Sequence, residues 1–224
     1  MPTQPYKNAK GLRVSGVTTI LGNNCGWNKN VLARWANRIG LEGIDMRSYV
    51  ANAAEIGNIA HSMVEEHIQG RDPETAIQPN MLEHIERGGR RAFAAYLAWE
   101  RRSQAILVGT ELYGVDEETQ TGWCLDAIAL FKNENDELVL ELLDWKSSNG
   151  TYPEHFMQVC AYVVFFERLT GLQLHGVHLC RFGKTDGEFA HHYWPRELVD
   201  IGYAAFMDFR NAENKRRKIE QLCR

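Results

Sequence analysis

An apolar run that ends in charged residues is the feature that most limits how this chain can fold. Residues 138 to 143 are almost entirely apolar and lead directly into Asp144, Trp145 and Lys146. The length and composition of this run predict a buried strand. Because alternate side chains share one face of a strand, we expect Asp144 and Lys146 to project together and Trp145 to point the other way. An acid that can hold a metal and a cation that can steer a nucleophile would then lie side by side.

A second strand is predicted over residues 122 to 131, where Asp126 is the only charged side chain. A buried charge costs several kcal/mol unless it is paired or bound to a metal. The polar residues 132 to 137 between the two runs predict a turn, and hence a hairpin. We therefore expect Asp126 to lie beside Asp144.

A third strand, predicted over residues 105 to 113, carries one acid in its second half, Glu111. Three successive strands thus each present a carboxylate, and such a cluster repels itself unless a cation neutralises it. Oxygen ligands of this kind favour Mg²⁺ or Mn²⁺ over zinc.

Two helices add polar side chains to this picture. Apolar residues recur at helical spacing from about Ser48 to Gln69, and Gly57 and His61 lie one turn apart on an adjacent face. An imidazole can bind a metal or take a proton near neutral pH, and glycine permits close approach of another segment.

The other helix follows the Asp144 strand. Pro153 is typical of a first helical turn and Gly171 of a helix end, so a helix is predicted between them. Gln158 and Tyr162 are four residues apart on it and can reach the same region.

The order of these short motifs resembles the PD-(D/E)xK nuclease superfamily and, within it, the RecB-like exonucleases found in phages and recombination complexes. The motifs are GxxxH (Gly57 to His61), Glu111, GxxxD (Gly122 to Asp126), DxK (Asp144 to Lys146) and QxxxY (Gln158 to Tyr162). The glycine-to-aspartate motif is one residue longer than in the family, and no proline precedes Asp126. The likeness covers residues 12 to 195.

The resemblance implies a restriction-endonuclease-like α/β core, with a central mixed β-sheet flanked by helices and an N-terminal helical cap. It also implies one or two Mg²⁺ or Mn²⁺ ions. His61, Asp126, Asp144 and the main-chain carbonyl of Trp145 would bind the metal, and Glu111 would serve a second ion directly or through water. Lys146 would orient and help to deprotonate the attacking water, and Gln158 and Tyr162 would arrange the site and the DNA end.

The cysteines argue against two other kinds of site. There are five of them, at positions 25, 124, 160, 180 and 223, with no CxxC pair. This spacing favours neither disulfides nor a zinc ribbon. Some relatives hold an iron–sulfur cluster through an upstream cysteine and a C-terminal trio. Only Cys180 and Cys223 follow the catalytic region, so we expect no iron–sulfur cluster.

The net charge of −4 argues against a protein that coats nucleic acid, although an enzyme needs only a local basic stripe. The helix predicted from about Asn80 to Ser103 carries such a stripe, and residues 215 to 218 form a second basic cluster. Both can equally be solvated faces. The predicted DNA contacts are Arg87, Arg90, Arg91, Arg101, Arg102, Ser147, Ser148, Tyr152, Lys215 and Arg216.

A chain of 224 residues with 44% hydrophobic content can bury one sizeable core. We expect a single nuclease domain over residues 1–224, with a helical cap at 22–80, a catalytic core at 105–195 and a C-terminal helix at 196–224. No apolar run long enough for a membrane span and no secretory signal is evident, which predicts a cytoplasmic protein of a bacterial or phage-infected cell.

The predicted function is a metal-dependent DNA exonuclease of recombination, repair or phage DNA processing. The partners it implies are single-stranded or duplex DNA ends and a single-strand annealing protein or a helicase, and the oligomeric state stays open. One alternative is a module that binds DNA ends or a partner without turnover. Another is a sequence-specific or structure-specific endonuclease, which would share the chemistry but would also cut closed circular DNA.

Overall fold

The computed structural model describes residues 5–148, 150–183 and 189–223. The strands are β1 (Ser15–Gly16), β2 (Ile106–Asp116), β3 (Thr121–Lys132), β4 (Leu138–Lys146), β5 (Gly176–Phe182) and β6 (Phe189–Pro195). The helices are α1 (Val17–Asn24), α2 (Lys29–Leu41), α3 (Met46–Ile68), α4 (Glu83–Ser103), α5 (Pro153–Thr170) and α6 (Arg196–Leu222), with a 3₁₀ turn at Pro73–Ala76.

All six strands belong to one mixed sheet. Strands β2, β3 and β4 form an antiparallel meander, β5 pairs with β4 in parallel, and β6 closes that side antiparallel to β5. Helix α5 makes the crossover that a parallel β4–β5 pair requires. The predicted class, a central mixed sheet flanked by helices, is confirmed.

One edge of β3 is shared by two partners and is left open between them. Strand β2 runs along the opposite edge from Thr121 onwards. On the shared edge β1 pairs with Thr121 and Gly122, whereas β4 pairs only from Ala127 onwards. Among the described residues, 123 to 126 therefore have no strand neighbour on that edge, and Asp126 is the last residue of this opening.

Two apolar clusters lie on the two faces of the sheet. The larger one holds the α1, α5 and α6 layer against the sheet around Trp123, Val159 and Phe206. The other holds α3 and α4 against the opposite face and contains Trp145, which packs edge-on against the rings of Tyr96 and Trp99. The indole of Trp145 thus faces the α4 side, as the strand alternation predicted.

Most predicted element boundaries agree with the structure. Helix α5 begins at Pro153 and ends before Gly171, whose φ of +72° caps it, and α6 begins at Arg196. Within the region predicted as a cap, α3 packs on the sheet, whereas α2 buries only Ile39. None of the helices in the described ranges is long and apolar enough to cross a membrane.

Candidate active site

The acidic residues of β3 and β4 meet where these two strands part. The last ladder pair is Ala127 with Leu143, so Asp126 and Asp144 are the next residue on each strand. Both are buried, with relative exposures of 6% and 1%. Asp126 Oδ2 accepts a 2.6 Å hydrogen bond from the main-chain amide of Trp145, which ties the two strands together beyond their ladder. The predicted proximity of Asp126 and Asp144 is thereby explained.

Three side chains on three elements form a possible metal site. One ligand atom each from His61 of α3, Glu111 of β2 and Asp126 of β3 lies within 4.8 Å of the other two. The His61 Nδ1 atom is 3.5 Å from Asp126 Oδ1. An imidazole and two carboxylates suit a divalent cation that accepts both nitrogen and oxygen donors.

Glu111 reaches this site from an unusual backbone conformation. It lies between the pairs Thr110–Ala127 and Leu112–Leu125, and so directly opposite Asp126. Its φ is +49°, a left-handed value that is uncommon for a residue other than glycine. Such strain is often retained at functional sites because the surrounding structure compensates for it. The thiol of Cys124, 3.5 Å from Glu111 Oε2, is a neighbour that the sequence did not single out.

Asp144 forms an ion pair with Lys146 beside the three residues of the possible metal site. Its Oδ2 contacts the Lys146 Nζ as an ion pair, yet this buried oxygen accepts no well-aligned hydrogen bond from the described residues. Its Oδ1 is 3.5 Å from Gln158 Nε2. Burial and the Asp126 charge raise the pKa of Asp144 to about 6, although Lys146 opposes that rise. A carboxylate of this kind gains from a cation close by.

The His61–Asp126 pair has the opposite character. Burial alone would disfavour both charges, but their mutual attraction lowers the pKa of Asp126 and raises the pKa of His61. Lys146 and the Trp145 amide also favour the charged form of Asp126. The site therefore holds one firmly ionised carboxylate beside Asp144, which titrates at higher pH.

Gln158 and Tyr162 approach from α5, on the other side of the sheet from α3. The Gln158 amide donates to the Tyr162 hydroxyl oxygen at 3.0 Å and faces Asp144. Burial raises the pKa of Tyr162 well above its ordinary value, so the phenol keeps its proton. The predicted amide and phenol are thus adjacent to the acidic residues, and the phenol proton is available to an acceptor.

Glycine has a steric role at two motif positions. A Cβ at Gly57 would lie 2.6 Å from the Ser147 hydroxyl, so this glycine allows α3 to pass over the end of β4. A Cβ at Gly122 would overlap the ring of Tyr6, which covers this part of β3. Sequence reasoning missed Tyr6, and the glycine inside a strand pattern was the available signal for close approach.

Tyr6 itself lies beside the site. Burial raises its pKa to about 12, and the nearby Cys124 and Glu111 add to that effect. His155 of α5 is a second residue near the site that sequence reasoning missed. Burial and the nearby Lys146 charge lower its pKa to about 4. Both side chains are therefore uncharged near neutral pH in this setting.

The predicted DNA contacts fall on three surfaces. On α4 the exposed Arg87 and Arg90 pair with glutamates one turn earlier. On α6 Arg216 pairs with Glu213 and Glu220. The half-exposed Tyr152 and Ser147 lie near the site, and the Ser148 hydroxyl donates to the Gly150 carbonyl at 2.7 Å. Those ion pairs reduce the positive charge that α4 and α6 present.

Similarity to known proteins is found among solved structures. No protein-family model matches the sequence, and no curated protein does so either. The chain is similar to an alkaline exonuclease (LHK-Exo) from Laribacter hongkongensis, at 14% identity and a TM-score of 0.35 over 76% of this chain and 91% of the other. It is also similar to LHK-Exo in complex with dAMP, at 15% identity and a TM-score of 0.34 over 76% of this chain and 92% of the other.

Proposed function

We propose that this protein is a metal-dependent deoxyribonuclease that acts as an exonuclease. The observation that carries the proposal is the meeting of His61, Glu111 and Asp126 beside the Asp144–Lys146 pair at the opening between β3 and β4. Donor atoms for a cation and a partly buried ammonium group rarely lie together without a chemical reason, because each charge costs free energy to bury.

The donor set fits Mg²⁺ or Mn²⁺. The ligands would be His61, Glu111 and Asp126, joined by Asp144, whose buried Oδ2 is ion-paired with Lys146 in the metal-free protein. When bound, such an ion supplies Lewis-acid activation of the phosphate and of a water nucleophile.

The protein's own groups account for the other requirements of phosphodiester hydrolysis. The Lys146 ammonium can stabilise the negative charge that develops on the phosphate oxygens. Gln158 holds the Tyr162 hydroxyl and faces Asp144, so it positions two groups at once. The protonated Tyr162 can donate a hydrogen bond to a phosphate oxygen or a leaving group.

The resemblance to RecB-like nucleases supports placing this activity in bacterial or phage recombination, repair or DNA processing, in the cytoplasm. A helicase or a single-strand annealing protein would fit that setting.

The decisive experiment offers purified protein end-labelled single-stranded, linear duplex and closed circular DNA with Mg²⁺, Mn²⁺ or EDTA. We expect metal-dependent shortening of linear DNA, no cutting of circles, and no activity in Asp144→Ala. Cutting of circular DNA would show that the enzyme is an endonuclease and not an exonuclease. Absence of a metal-dependent product from every substrate would overturn the nuclease proposal.

A further inference from the structure

A large groove separates α2 and the start of α3 from the start of α5. Its volume is about 1540 Å³, well above the ~300–1,000 Å³ of ordinary small-molecule sites. Its lining includes His155 and Gln158, which also belong to the candidate active site. The groove is therefore continuous with the catalytic residues and has room for a polymer.

One face of α2 supplies much of the lining. Val31, Arg34, Trp35 and Arg38 recur at helical spacing of three and four residues and all line the groove. Val31 is 62% exposed, and Ile39 is the only buried residue of this helix within the described chain. An amphipathic helix normally turns its apolar face to the core. Helix α2 instead presents apolar, aromatic and cationic groups to an open space.

Aromatic rings line the groove on both sides. Trp35 and Tyr49 make an edge-on contact on one side, at 5.8 Å between ring centroids, and Tyr152 stands at the start of α5 on the other. Trp27, 57% exposed, also lines the groove. Clustered exposed rings of this kind mark a binding surface.

The charges of the groove are suited to an anionic ligand. Lys29, Arg34 and Arg38 line it, and none of them forms an ion pair with a carboxylate of the described residues. Glu154 is the one acid in the described lining, and it already accepts hydrogen bonds from Trp27 and Asn28, each at 3.0 Å. A protein partner would have to match both the apolar side chains and the cations of this lining. Single-stranded nucleic acid does so directly, because its bases stack on aromatic rings and its phosphates pair with cations.

We infer that this groove binds single-stranded DNA and guides it to the catalytic residues, with bases stacked on the aromatic rings and phosphates on Arg34 and Arg38. The inference rests on the proposed function for its choice of DNA. Stacking of this type tolerates every base, because each base has a π-face.

The test measures binding in EDTA, where no cleavage occurs, by fluorescence anisotropy of a labelled 15-nucleotide DNA strand, its RNA counterpart and a blunt duplex. We expect the single DNA strand to bind most tightly. Trp35→Ala should weaken the affinity for this strand roughly tenfold. Trp35→Phe should largely retain the affinity because it keeps an aromatic ring. The double variant Arg34→Glu/Arg38→Glu should weaken binding and reduce its salt dependence.

Matched controls are Tyr113→Ala, an exposed ring on β2, and Lys132→Glu, an exposed cation at the β3–β4 turn. Both should bind like the wild type. Equal binding by wild type and groove variants, tighter binding of duplex or RNA, or a dimer that dissociates on Trp35→Ala would overturn the inference. Groove-dependent binding without any metal-dependent cleavage would leave the inference standing and remove only the proposed nuclease activity.

Discussion

The carboxylate of Asp126 and the main-chain amide of Trp145 are joined by a 2.6 Å hydrogen bond at the point where β3 and β4 separate. One oxygen of Asp126 thus holds the backbone of β4, while the other faces His61 at 3.5 Å. The residue contributes to the fold and to the site through different atoms.

This division predicts different outcomes for two substitutions at Asp126. Asp126→Asn keeps an acceptor for the Trp145 amide, so the free energy of unfolding should change little while metal-dependent cleavage is lost. Asp126→Ala leaves a buried amide unpaired and should lower the free energy of unfolding by about 1–3 kcal/mol more than Asn does. Urea denaturation in EDTA measures the difference. Equal stability of the two variants would show that the hydrogen bond contributes nothing.

Removal of the Lys146 ammonium should abolish efficient cleavage without unfolding the protein. Lys146→Met keeps most of the apolar stem, so secondary structure measured by circular dichroism should be unchanged. The cleavage rate should fall by about 100-fold or more, as for other electrostatic groups that act on the transition state. Lys132→Met, at the distant hairpin, is the matched control and should cut at the wild-type rate. A Lys146→Met protein with wild-type activity would exclude the assigned role.

Asp144 should destabilise the metal-free protein at neutral pH. Its pKa is about 6 in the folded state, against about 3.9 for an unperturbed aspartate. The folded state therefore binds the extra proton between these values, and stability falls as the pH rises from about 4 through 6. Well above pH 6 the full penalty applies, on the order of 3 kcal/mol.

Asp144→Asn carries no such penalty. In EDTA its free energy of unfolding should match the wild type near pH 4 and exceed it at pH 7, although we expect the variant to be inactive. Parallel urea titrations at the two pH values check this. A variant that is less stable than the wild type at pH 7 would contradict the raised pKa.

The contact between Tyr6 and Gly122 predicts a specific rescue. Gly122→Ala places a methyl group where the Tyr6 ring lies. The resulting overlap should lower the melting temperature and the cleavage rate. Tyr6→Ala removes the obstruction. The double variant should then be more stable than the sum of the two single effects allows, which a double-mutant cycle measures. Additive effects would mean that the ring does not meet the new methyl group.

Local signals predicted much of the fold. Pro153 and Gly171 mark the two ends of α5 in the sequence itself, since each residue has a conformational preference that suits its end of a helix. The alternation of β4 correctly placed Trp145 opposite Asp144 and Lys146. These features depend only on neighbours along the chain.

The remaining features depend on contacts between distant segments. Strands β1 and β4 share one edge of β3. The β1 residues pair with β3 residues more than a hundred positions later in the chain, and no local sequence pattern indicates such a pairing. The left-handed backbone at Glu111 contradicts the preference of its residue type, and the sequence gives no sign of it. The order of motifs could therefore suggest that His61, Glu111 and Asp126 belong to one site, but it could not give their geometry or the ion pair between Asp144 and Lys146.

The weak anchoring of α2 has a mechanical consequence. Because Ile39 is its only buried residue in the described chain, α2 can shift or fray while both apolar clusters and the whole sheet remain intact. Local opening of this kind requires much less free energy than global unfolding. The wall of the groove is thus the compliant part of the molecule, and the acidic residues are fixed to its rigid part. The groove can therefore change width while Asp126 and Asp144 keep their spacing.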